Sequence, residues 1–295
     1  MDPKWTLKHT ESNAAILTVP IDYGETFRVL LRGDAHHDNP HSDWSMERRH
    51  LEEVKDTGGA VLDVGDLFCA MQGKYDKRAS KSTIREEHQA GDYLDALVRT
   101  AADFYGPYAK YWAVMGLGNH EQSIYQKHET HLTARLVERL NDRHGSNIQC
   151  GGYTGWLIVR AKLPSGKSVS RKIWYCHGYG GGGPVTADMI QVAGRMPISL
   201  GNADIIVSGH THDKWTRQIS RQWISDHGKI TRDTIHLVKT ATYKDEYGTG
   251  HGGWHVETGK PPKPMGAYFA EFTPKKEYNG DSECLRLDIK IVGAE

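Results

Sequence analysis

Five short segments of this sequence combine aspartate, histidine and asparagine with glycine, and each follows directly after a run of apolar residues. In chain order they are Gly33-Asp34-Ala35-His36, Gly65-Asp66, Gly118-Asn119-His120-Glu121, His177-Gly178 and Gly209-His210-Thr211-His212. Carboxylate oxygens, imidazole nitrogens and amide oxygens are donors that divalent metal ions accept in proteins. Two such ions held close together can activate water for attack on phosphorus. The five segments together therefore predict a two-metal centre for phosphate chemistry.

The spacing within the segments indicates which donors can act together. Asp34 and His36 are two residues apart, so on an extended strand their side chains share one face. His210 and His212 have the same spacing and can project together. Asp66 has two carboxylate oxygens and can bridge two ions. The remaining donors, an amide oxygen and a further imidazole, come from Asn119 and His177.

The apolar runs that precede the segments predict the scaffold. They cover residues 29–31, 60–62, 112–115, 173–175 and 205–207, and they are rich in β-branched and aromatic side chains. Short runs of this kind are typical of strands buried on both faces. Each segment then lies in a loop at the C-terminal end of a strand, which is where open α/β sheets bind ligands. Residues that are distant in sequence are thereby expected to converge on one point.

Between these strands the first half of the chain carries helical patterns. They predict a helix from a cap at Ser42 to Thr57, a second over residues 84–104 and a third over residues 125–143. Strand patterns dominate after Gly151, beginning with a hairpin around residues 164–167. The predicted fold class is α/β, with two packed mixed β-sheets (a β-sandwich) flanked by α-helices. With no internal repeat and no linker, we expect one domain over residues 1–295, with an insertion on the substrate side near residues 243–265.

Composition narrows the classes of function. Lysine plus arginine and aspartate plus glutamate both number 37, so the formal net charge is zero, unlike that of a strongly basic nucleic-acid coat protein. The four cysteines are scattered without metal-binding spacing, which predicts reduced thiols. No stretch approaches the roughly 20 apolar residues that cross a bilayer, and the N-terminus lacks the apolar core of a signal peptide. We therefore expect a cytoplasmic protein that does not bind membranes, and the sequence leaves its oligomeric state open.

The five segments resemble the motifs of the calcineurin-like metallophosphoesterase superfamily, which read D-x-H, GD-x-x-D, GNH-[DE], H-[GA] and GH-x-H. The resemblance covers about residues 29–213. It implies a β-sandwich flanked by helices and two divalent ions, with Mn expected and Fe, Zn, Ni and Co compatible with the same donors. By position, one ion is held by Asp34, His36, Asp66 and His212. The other is held by Asp66, Asn119, His177 and His210.

The resemblance also implies a mechanism. A hydroxide bridging the two ions attacks the phosphorus in line with the leaving group. His120 resembles the superfamily's catalytic histidine, which contacts the phosphate and protonates the leaving oxygen. Asp66 and Asn119 act with it by holding the ions. Flanking the first segment, His37 and Asp38 are candidates for residues that support the ligands.

Two departures from the superfamily pattern bear on the substrate. Cys69 stands where the second motif has its final Asp or Asn, a residue that orients the catalytic histidine in protein phosphatases, and Glu121 or Asp63 is the candidate substitute. Ala70 and Leu117 stand where protein Ser/Thr phosphatases carry arginines. Arginine grips a phosphate dianion through two hydrogen bonds, so its absence favours a phosphodiester over a phosphomonoester.

Three further features are candidates for substrate binding. The glycine-rich stretch that begins with Gly178 and Gly180 can bring backbone N–H groups close to a phosphate, or it can simply connect two elements. A basic cluster that includes Lys74 and Arg78 can follow a nucleic-acid backbone, or form a solvated surface. Trp254, in the stretch over residues 243–265, can stack on a base, or pack over the sheet.

The sequence thus predicts a two-metal hydrolase of phosphate esters, with a phosphodiesterase or nuclease favoured over a phosphatase. Its expected substrate is a nucleic acid, such as DNA, or a nucleotide that can be cyclic. The basic cluster favours a polymer, whereas the neutral net charge favours a small substrate. Two alternatives stay open: a phosphomonoesterase acting on a small-molecule or protein phosphate, and a non-catalytic metal-binding scaffold.

Overall fold

The computed structural model describes residues 2–73, 84–181, 189–226, 228–248, 254–279 and 282–294. The fold is α/β, with two mixed sheets and helices packed on their outer faces, as predicted. The strands are β1 (Thr6–Glu11), β2 (Ala14–Pro20), β3 (Phe27–Arg32), β4 (Ala60–Asp63), β5 (Trp112–Met115), β6 (Gln149–Cys150), β7 (Thr154–Lys162), β8 (Ser168–Cys176), β9 (Ile205–Ser208), β10 (Lys214–Ile224), β11 (Ile230–Thr240), β12 (Ala267–Asn279) and β13 (Ser282–Ala294). The α-helices are α1 (Trp44–Thr57), α2 (Tyr93–Tyr105), α3 (Asn119–His128), α4 (Leu132–His144), α5 (Met196–Ser199) and α6 (Trp254–Glu257).

The six-stranded sheet has the order β13-β12-β3-β4-β5-β6. Strands β3, β4 and β5 run parallel to one another, with Leu30 beside Val61 and Leu62 beside Val114. Their C-terminal ends therefore meet at one edge of the sheet, where the first three segments begin. All four residues of β4 and of β5 are buried, as the apolar runs predict for strands covered on both faces.

The seven-stranded sheet has the order β1-β2-β7-β8-β9-β11-β10. The predicted hairpin is formed by β7 and β8, which pair antiparallel from Thr154 opposite Cys176 to Lys162 opposite Ser168. Strands β8 and β9 are parallel, so the two motif segments that follow them begin at the same edge of the sheet. The two sheets thus deliver all five segments to neighbouring loops.

The interior has three apolar layers. Side chains from the facing surfaces of the two sheets, including Leu17, Leu31, Leu62 and Val207, form the central one. A second layer lies between the six-stranded sheet and helices α1, α2 and α4. A third covers the other face of the seven-stranded sheet. Burial of these continuous apolar surfaces is the main force that fixes the two sheets against each other.

The helix boundaries differ from the predicted ones at two places that affect the site. Helix α1 is capped by Asp43, whose Oδ1 accepts a hydrogen bond from the Met46 N–H at 2.9 Å. Ser42 instead donates to the Ala35 carbonyl at 2.8 Å and ties the helix to the first segment. The predicted helix over residues 125–143 is two helices, because Glu129 adopts a left-handed φ of 51° between α3 and α4.

The predicted helix over residues 84–104 is also shorter in the structure. A single 3₁₀ turn at Glu86–His88 precedes helix α2, and Gly91 lies in the turn between them.

Among the described residues, no helix is both long and apolar enough to cross a bilayer.

Candidate metal centre

Six of the predicted ligands form two groups of three at the common edge of the sheets. Asp34, His36 and His212 form the first group, and Asp66, His177 and His210 form the second. Within each group, one ligand atom from every residue lies within 4.8 Å of the others. The second group also contacts Asn119. This partition matches the one that the superfamily resemblance implies, with His210 and His212 serving different groups.

The first group is nearly closed to solvent. His36 Nε2 lies 3.1 Å from His212 Nε2, and His212 Nε2 lies 3.3 Å from Asp34 Oδ1. Within the described residues, Asp34 Oδ1 has no well-aligned hydrogen bond. Buried polar atoms without partners are costly, and a cation at this point would bind the carboxylate and both imidazoles. The donor set therefore fits a divalent ion.

The second group is built around Asp66 and Asn119. Asp66 Oδ2 lies 3.1 Å from His177 Nε2. Asn119 Oδ1 lies 3.0 Å from His177 Nε2 and 2.7 Å from His210 Nδ1. One carboxylate, one amide oxygen and two imidazoles thus face a common point, which is a suitable set for a divalent ion.

The other ring nitrogens of the second group are held by backbone carbonyls. His177 Nδ1 donates to the Val64 carbonyl at 3.2 Å, and His210 Nε2 donates to the Gly180 carbonyl at 2.7 Å. Such hydrogen bonds fix the tautomer and leave the opposite nitrogen as the ligand atom. The nitrogens available to an ion are therefore Nε2 of His177 and Nδ1 of His210.

The charges of the site also favour cations. Burial by itself raises the pKa of Asp66, but the neighbouring His120 and His177 hold it well below its usual range. Burial lowers the pKa of His177, yet the Asp66 carboxylate raises it to about 9. Burial raises the pKa of Asp34 too, and His212 lowers it below its usual value. Two buried carboxylates thus stay ionised and attract positive charge.

The backbone at the site is strained in a repeated way. Asp34, His36, Asp66, His210 and His212 all have φ between 45° and 80°, the left-handed region that side chains other than glycine seldom adopt. Neither pair is therefore on an extended strand, and the expectation from their spacing that the two side chains of each pair share one face of a strand is wrong. Hydrogen bonds between the loops hold the conformation, with the Asp34 N–H donating to the Gly65 carbonyl at 2.9 Å.

Two motif glycines permit the loops to approach this closely. A Cβ on Gly118 would lie 2.1 Å from Asp66 Oδ1, and a Cβ on Gly209 would lie 2.4 Å from Asp34 Oδ2. Both distances are far below van der Waals contact. A side chain at either position would therefore overlap one of the two carboxylates that could hold an ion.

His120 lies beside both groups, and a backbone carbonyl orients it. Its Nδ1 donates to the Cys69 carbonyl at 2.8 Å, and its Nε2 lies 3.8 Å from Asp66 Oδ2. Neither candidate substitute for the missing carboxylate has this role. Glu121 accepts the N–H groups of Phe68 and Gly118, and Asp63 accepts from Arg32.

Asp38 holds the loop whose carbonyl orients His120. Its carboxylate accepts the backbone N–H groups of Cys69 at 2.5 Å and Ala70 at 2.8 Å. Asp38 thereby fixes the carbonyl that orients His120. Its position two residues after the first motif was a signal of support, but its partners became visible only in the structure. His37 contacts Glu47 and stacks on Trp44, so it packs beneath the site.

Tyr153 also belongs to the site, although it lies in none of the five motifs. Its hydroxyl donates to the Gly178 carbonyl at 2.5 Å, and its ring contacts His177 edge to face. Gly178 and Gly180 thus use their carbonyls to hold Tyr153 and His210, and both have positive φ. Their predicted contact with substrate phosphate through N–H groups stays a prediction.

The other predicted substrate contacts have different outcomes. Lys74 and Arg78 lie outside the described residues. Arg85, from the same basic cluster, packs its guanidinium over the Trp44 ring at 3.8 Å. Trp254 begins the short helix α6, and its stacking on a base stays a prediction.

Comparisons with known proteins give weak likenesses. No protein-family model and no curated protein matches the chain. Among solved structures it is similar to the calcineurin-like phosphoesterase YfkN from Bacillus subtilis, at 11% identity and TM-score 0.35 over 91% of both chains. It is similar to GAP50, the anchor in the inner membrane complex of Plasmodium, at 11% identity and TM-score 0.44 over 92% of this chain and 85% of that one. It is also similar to Chaetomium thermophilum Vps29, at 10% identity and TM-score 0.32 over 91% of this chain and 98% of that one.

The chain resembles the calcineurin-like superfamily in its five motifs and in the two-sheet fold that positions them. The described residues bring two adjacent sets of possible divalent-metal ligands next to an oriented histidine. Such an arrangement can bind two cations and can donate a proton beside them.

Proposed function

We propose that this chain is a metal-dependent phosphoesterase of the calcineurin-like superfamily, and that it hydrolyses phosphodiester bonds in a nucleic acid or nucleotide. The observation that carries the proposal is the meeting of two three-residue ligand groups beside His120. Two cations at such a centre, when bound, lower the pKa of water and neutralise charge on a phosphate. We expect Mn²⁺ to serve, although the donors accept other divalent ions.

The protein's own residues supply position and a proton. Asp66 Oδ2 lies 3.1 Å from His177 Nε2, and we propose that this carboxylate serves both ions. Asn119 Oδ1 lies within 3.0 Å of both imidazoles of the second group, so one cation could be shared by these three donors. Because these ligands come from loops tied together by backbone hydrogen bonds, the site needs little rearrangement to bind its ions.

His120 is the proposed general acid. The Cys69 carbonyl accepts the Nδ1–H, so the proton that can move is the one on Nε2. That nitrogen is on the side of Asp66, where a phosphate bound at the two groups would sit. Protonated His120 would donate this proton to the departing oxygen, which makes an alkoxide a better leaving group.

The diester preference is supported by the residues at the two arginine positions of protein phosphatases. Ala70 and Leu117 have uncharged side chains, so neither brings a positive charge to the site. Ala70 is fully buried, and Leu117 is 7% exposed. Lys244, a half-buried cation that interacts with His36, is ion-paired with Glu246. A phosphodiester carries one negative charge fewer than a monoester dianion and needs less of this compensation.

The testing experiment is hydrolysis of bis-p-nitrophenyl phosphate and p-nitrophenyl phosphate by protein stripped with chelator and reloaded with Mn²⁺. We expect preference for the diester, and loss of turnover in His120→Ala. Preference for the monoester would refute the argument from Ala70 and Leu117. Turnover of neither substrate by metal-loaded protein would favour the binding scaffold.

A second comparison isolates the arginine argument. Leu117→Arg restores a guanidinium where protein phosphatases have one, and Leu117→Gln is the neutral control of similar polarity. We expect Leu117→Arg alone to raise monoester relative to diester turnover. The size of the natural substrate is tested separately: hydrolysis of long DNA that falls steeply with salt indicates a nuclease, whereas turnover of only small or cyclic nucleotides does not.

A further inference from the structure

Cys69 brings a sulfur atom next to the site, at the position where the superfamily has Asp or Asn. Its Sγ and one ring nitrogen each of His36 and His120 all lie within 4.8 Å of one another. Cys69 is fully buried, and His36 is 1% exposed. This group is separate from the two that hold the predicted catalytic ions, except that it shares His36.

The surroundings of the sulfur favour a negative charge on it. Asn39 Nδ2 donates a hydrogen bond to Cys69 Sγ at 3.5 Å. The half-buried Lys244 interacts electrostatically with Cys69 as well. A donor and a cation beside a thiol stabilise the thiolate, which is the form that binds metals.

Each histidine of the group has a ring nitrogen to offer. His120 uses Nδ1 for the Cys69 carbonyl, which leaves Nε2 as its ligand atom. His36 directs Nε2 toward His212, and its Nδ1 is a buried atom without a hydrogen-bond partner within the described residues. A second ion bound through Nδ1, while Nε2 serves the first group, would make this ring a bridging imidazolate, with its proton released to solvent.

We propose that Cys69, His36 and His120 form a third cation site that selects zinc-class ions, and that its occupation inhibits the enzyme. One thiolate and two imidazoles are preferred by Zn²⁺, Cd²⁺ and Co²⁺, whereas Mn²⁺ avoids thiolate and prefers the nearby groups that each contain a carboxylate. An ion bound there takes the His120 nitrogen that proton transfer requires. The inhibitory half of this proposal rests on the proposed function, but the site itself does not.

Titration of the metal-free chain with Co²⁺ tests the site directly. A thiolate ligand gives a sulfur-to-cobalt charge-transfer band in the near ultraviolet, which nitrogen and oxygen ligands do not give. We expect the band in the wild type and in the matched control Cys284→Ser, whose cysteine is exposed. We expect it to be absent from Cys69→Ser and from Cys69→Asp, which restores the superfamily's carboxylate.

The control for folding is far-ultraviolet circular dichroism of every variant. If Cys69→Ser and Cys69→Asp both fail to fold, His120→Ala serves instead, and a weakened band there supports the site. No band in the wild type after three equivalents of Co²⁺ have bound overturns the proposal. A band that persists unchanged in folded Cys69→Ser overturns it equally, because another cysteine is then the ligand.

Inhibition is measured by adding Zn²⁺ to the Mn²⁺-loaded protein and following diester hydrolysis relative to each variant's own uninhibited rate. Loss of a ligand weakens metal binding by at least about tenfold, so the half-inhibitory Zn²⁺ concentration should rise by that factor in Cys69→Ser and not in Cys284→Ser. Equal inhibition of both variants refutes the regulatory role. A cobalt–sulfur band without any hydrolysis would reject the proposed function and leave the metal site standing.

Discussion

Gly118 offers the sharpest test of how the site is assembled. The backbone of Gly118 packs directly against Asp66, and a Cβ there would lie 2.1 Å from Asp66 Oδ1 and 2.2 Å from the Asp66 backbone nitrogen. The substitution Gly118→Ala therefore pushes on the carboxylate and on its main chain together. The Asp66 nitrogen is main chain, and Asp66 Oδ1 accepts a hydrogen bond from the His120 N–H at 2.9 Å, so a rotamer change alone cannot relieve the overlap.

The overlap sets how far Asp66 must move and how much hydrolysis is lost. Ordinary contact begins at about 3.4 Å, so Asp66 Oδ1 must move by roughly 1.3 Å. A misplacement of about 1 Å in a catalytic constellation costs about 100-fold in rate, which corresponds to about 2.7 kcal/mol of transition-state stabilisation. We expect kcat/KM for the diester to fall by at least this factor, together with weaker binding of the ions.

The assay combines kinetics with metal content. Diester hydrolysis and the amount of bound Mn²⁺ are measured for the wild type, Gly118→Ala and the matched control Gly91→Ala. Gly91 has no heavy atom within 4 Å of an added Cβ, and it lies in the turn before helix α2. The control should therefore retain the wild-type rate and metal content, and thermal unfolding shows whether each variant is folded.

One outcome would refute the reasoning. If folded Gly118→Ala binds Mn²⁺ and hydrolyses the diester as well as Gly91→Ala does, the close approach of Gly118 does not position Asp66. The conclusion that a side chain at this motif glycine displaces the Asp66 carboxylate would then be wrong.

Three further predictions follow from the geometry. His120→Ala should lower kcat by about 10²–10⁴-fold, the usual contribution of a general acid, while metal analysis shows unchanged Mn²⁺ content; loss of the ions would contradict its role as the acid. When each of the two metals is present at about 100 times its dissociation constant, the free energy of unfolding of the wild type should be about 5 kcal/mol higher than that of chelated protein. Urea denaturation of Asp66→Asn should show no such gain if Asp66 serves both ions. Burial raises the pKa of Glu47, but Arg32 at 2.7 Å lowers it to about 2, so its contribution of about 3 kcal/mol is present above pH 4.5 and lost as the pH falls toward 2. The stability difference between wild type and Glu47→Gln should shrink across that range, and a constant difference would contradict the shifted pKa.

Much of the fold was predictable because its signals are local. The apolar runs before Gly33, Gly65 and Gly209 identify buried strands from a few consecutive residues. Helix boundaries were less predictable. Glu129 ends α3 in a left-handed conformation with no glycine to mark it, and Asp43 replaces Ser42 as the cap of α1 one residue later. Tertiary contacts decide both, because Ser42 is engaged by the Ala35 carbonyl.

The sequence by itself determined which side chains could bind metals, since residue type sets donor chemistry and the strand-to-loop pattern sets the edge where they meet. The tertiary structure alone decided how they combine. His36 and His212 are 176 residues apart, yet their Nε2 atoms lie 3.1 Å from each other. The Cys69 carbonyl orients His120 only because Asp38, remote in sequence, holds that loop. Contacts of this range depend on the packing of two sheets, and no local pattern encodes them.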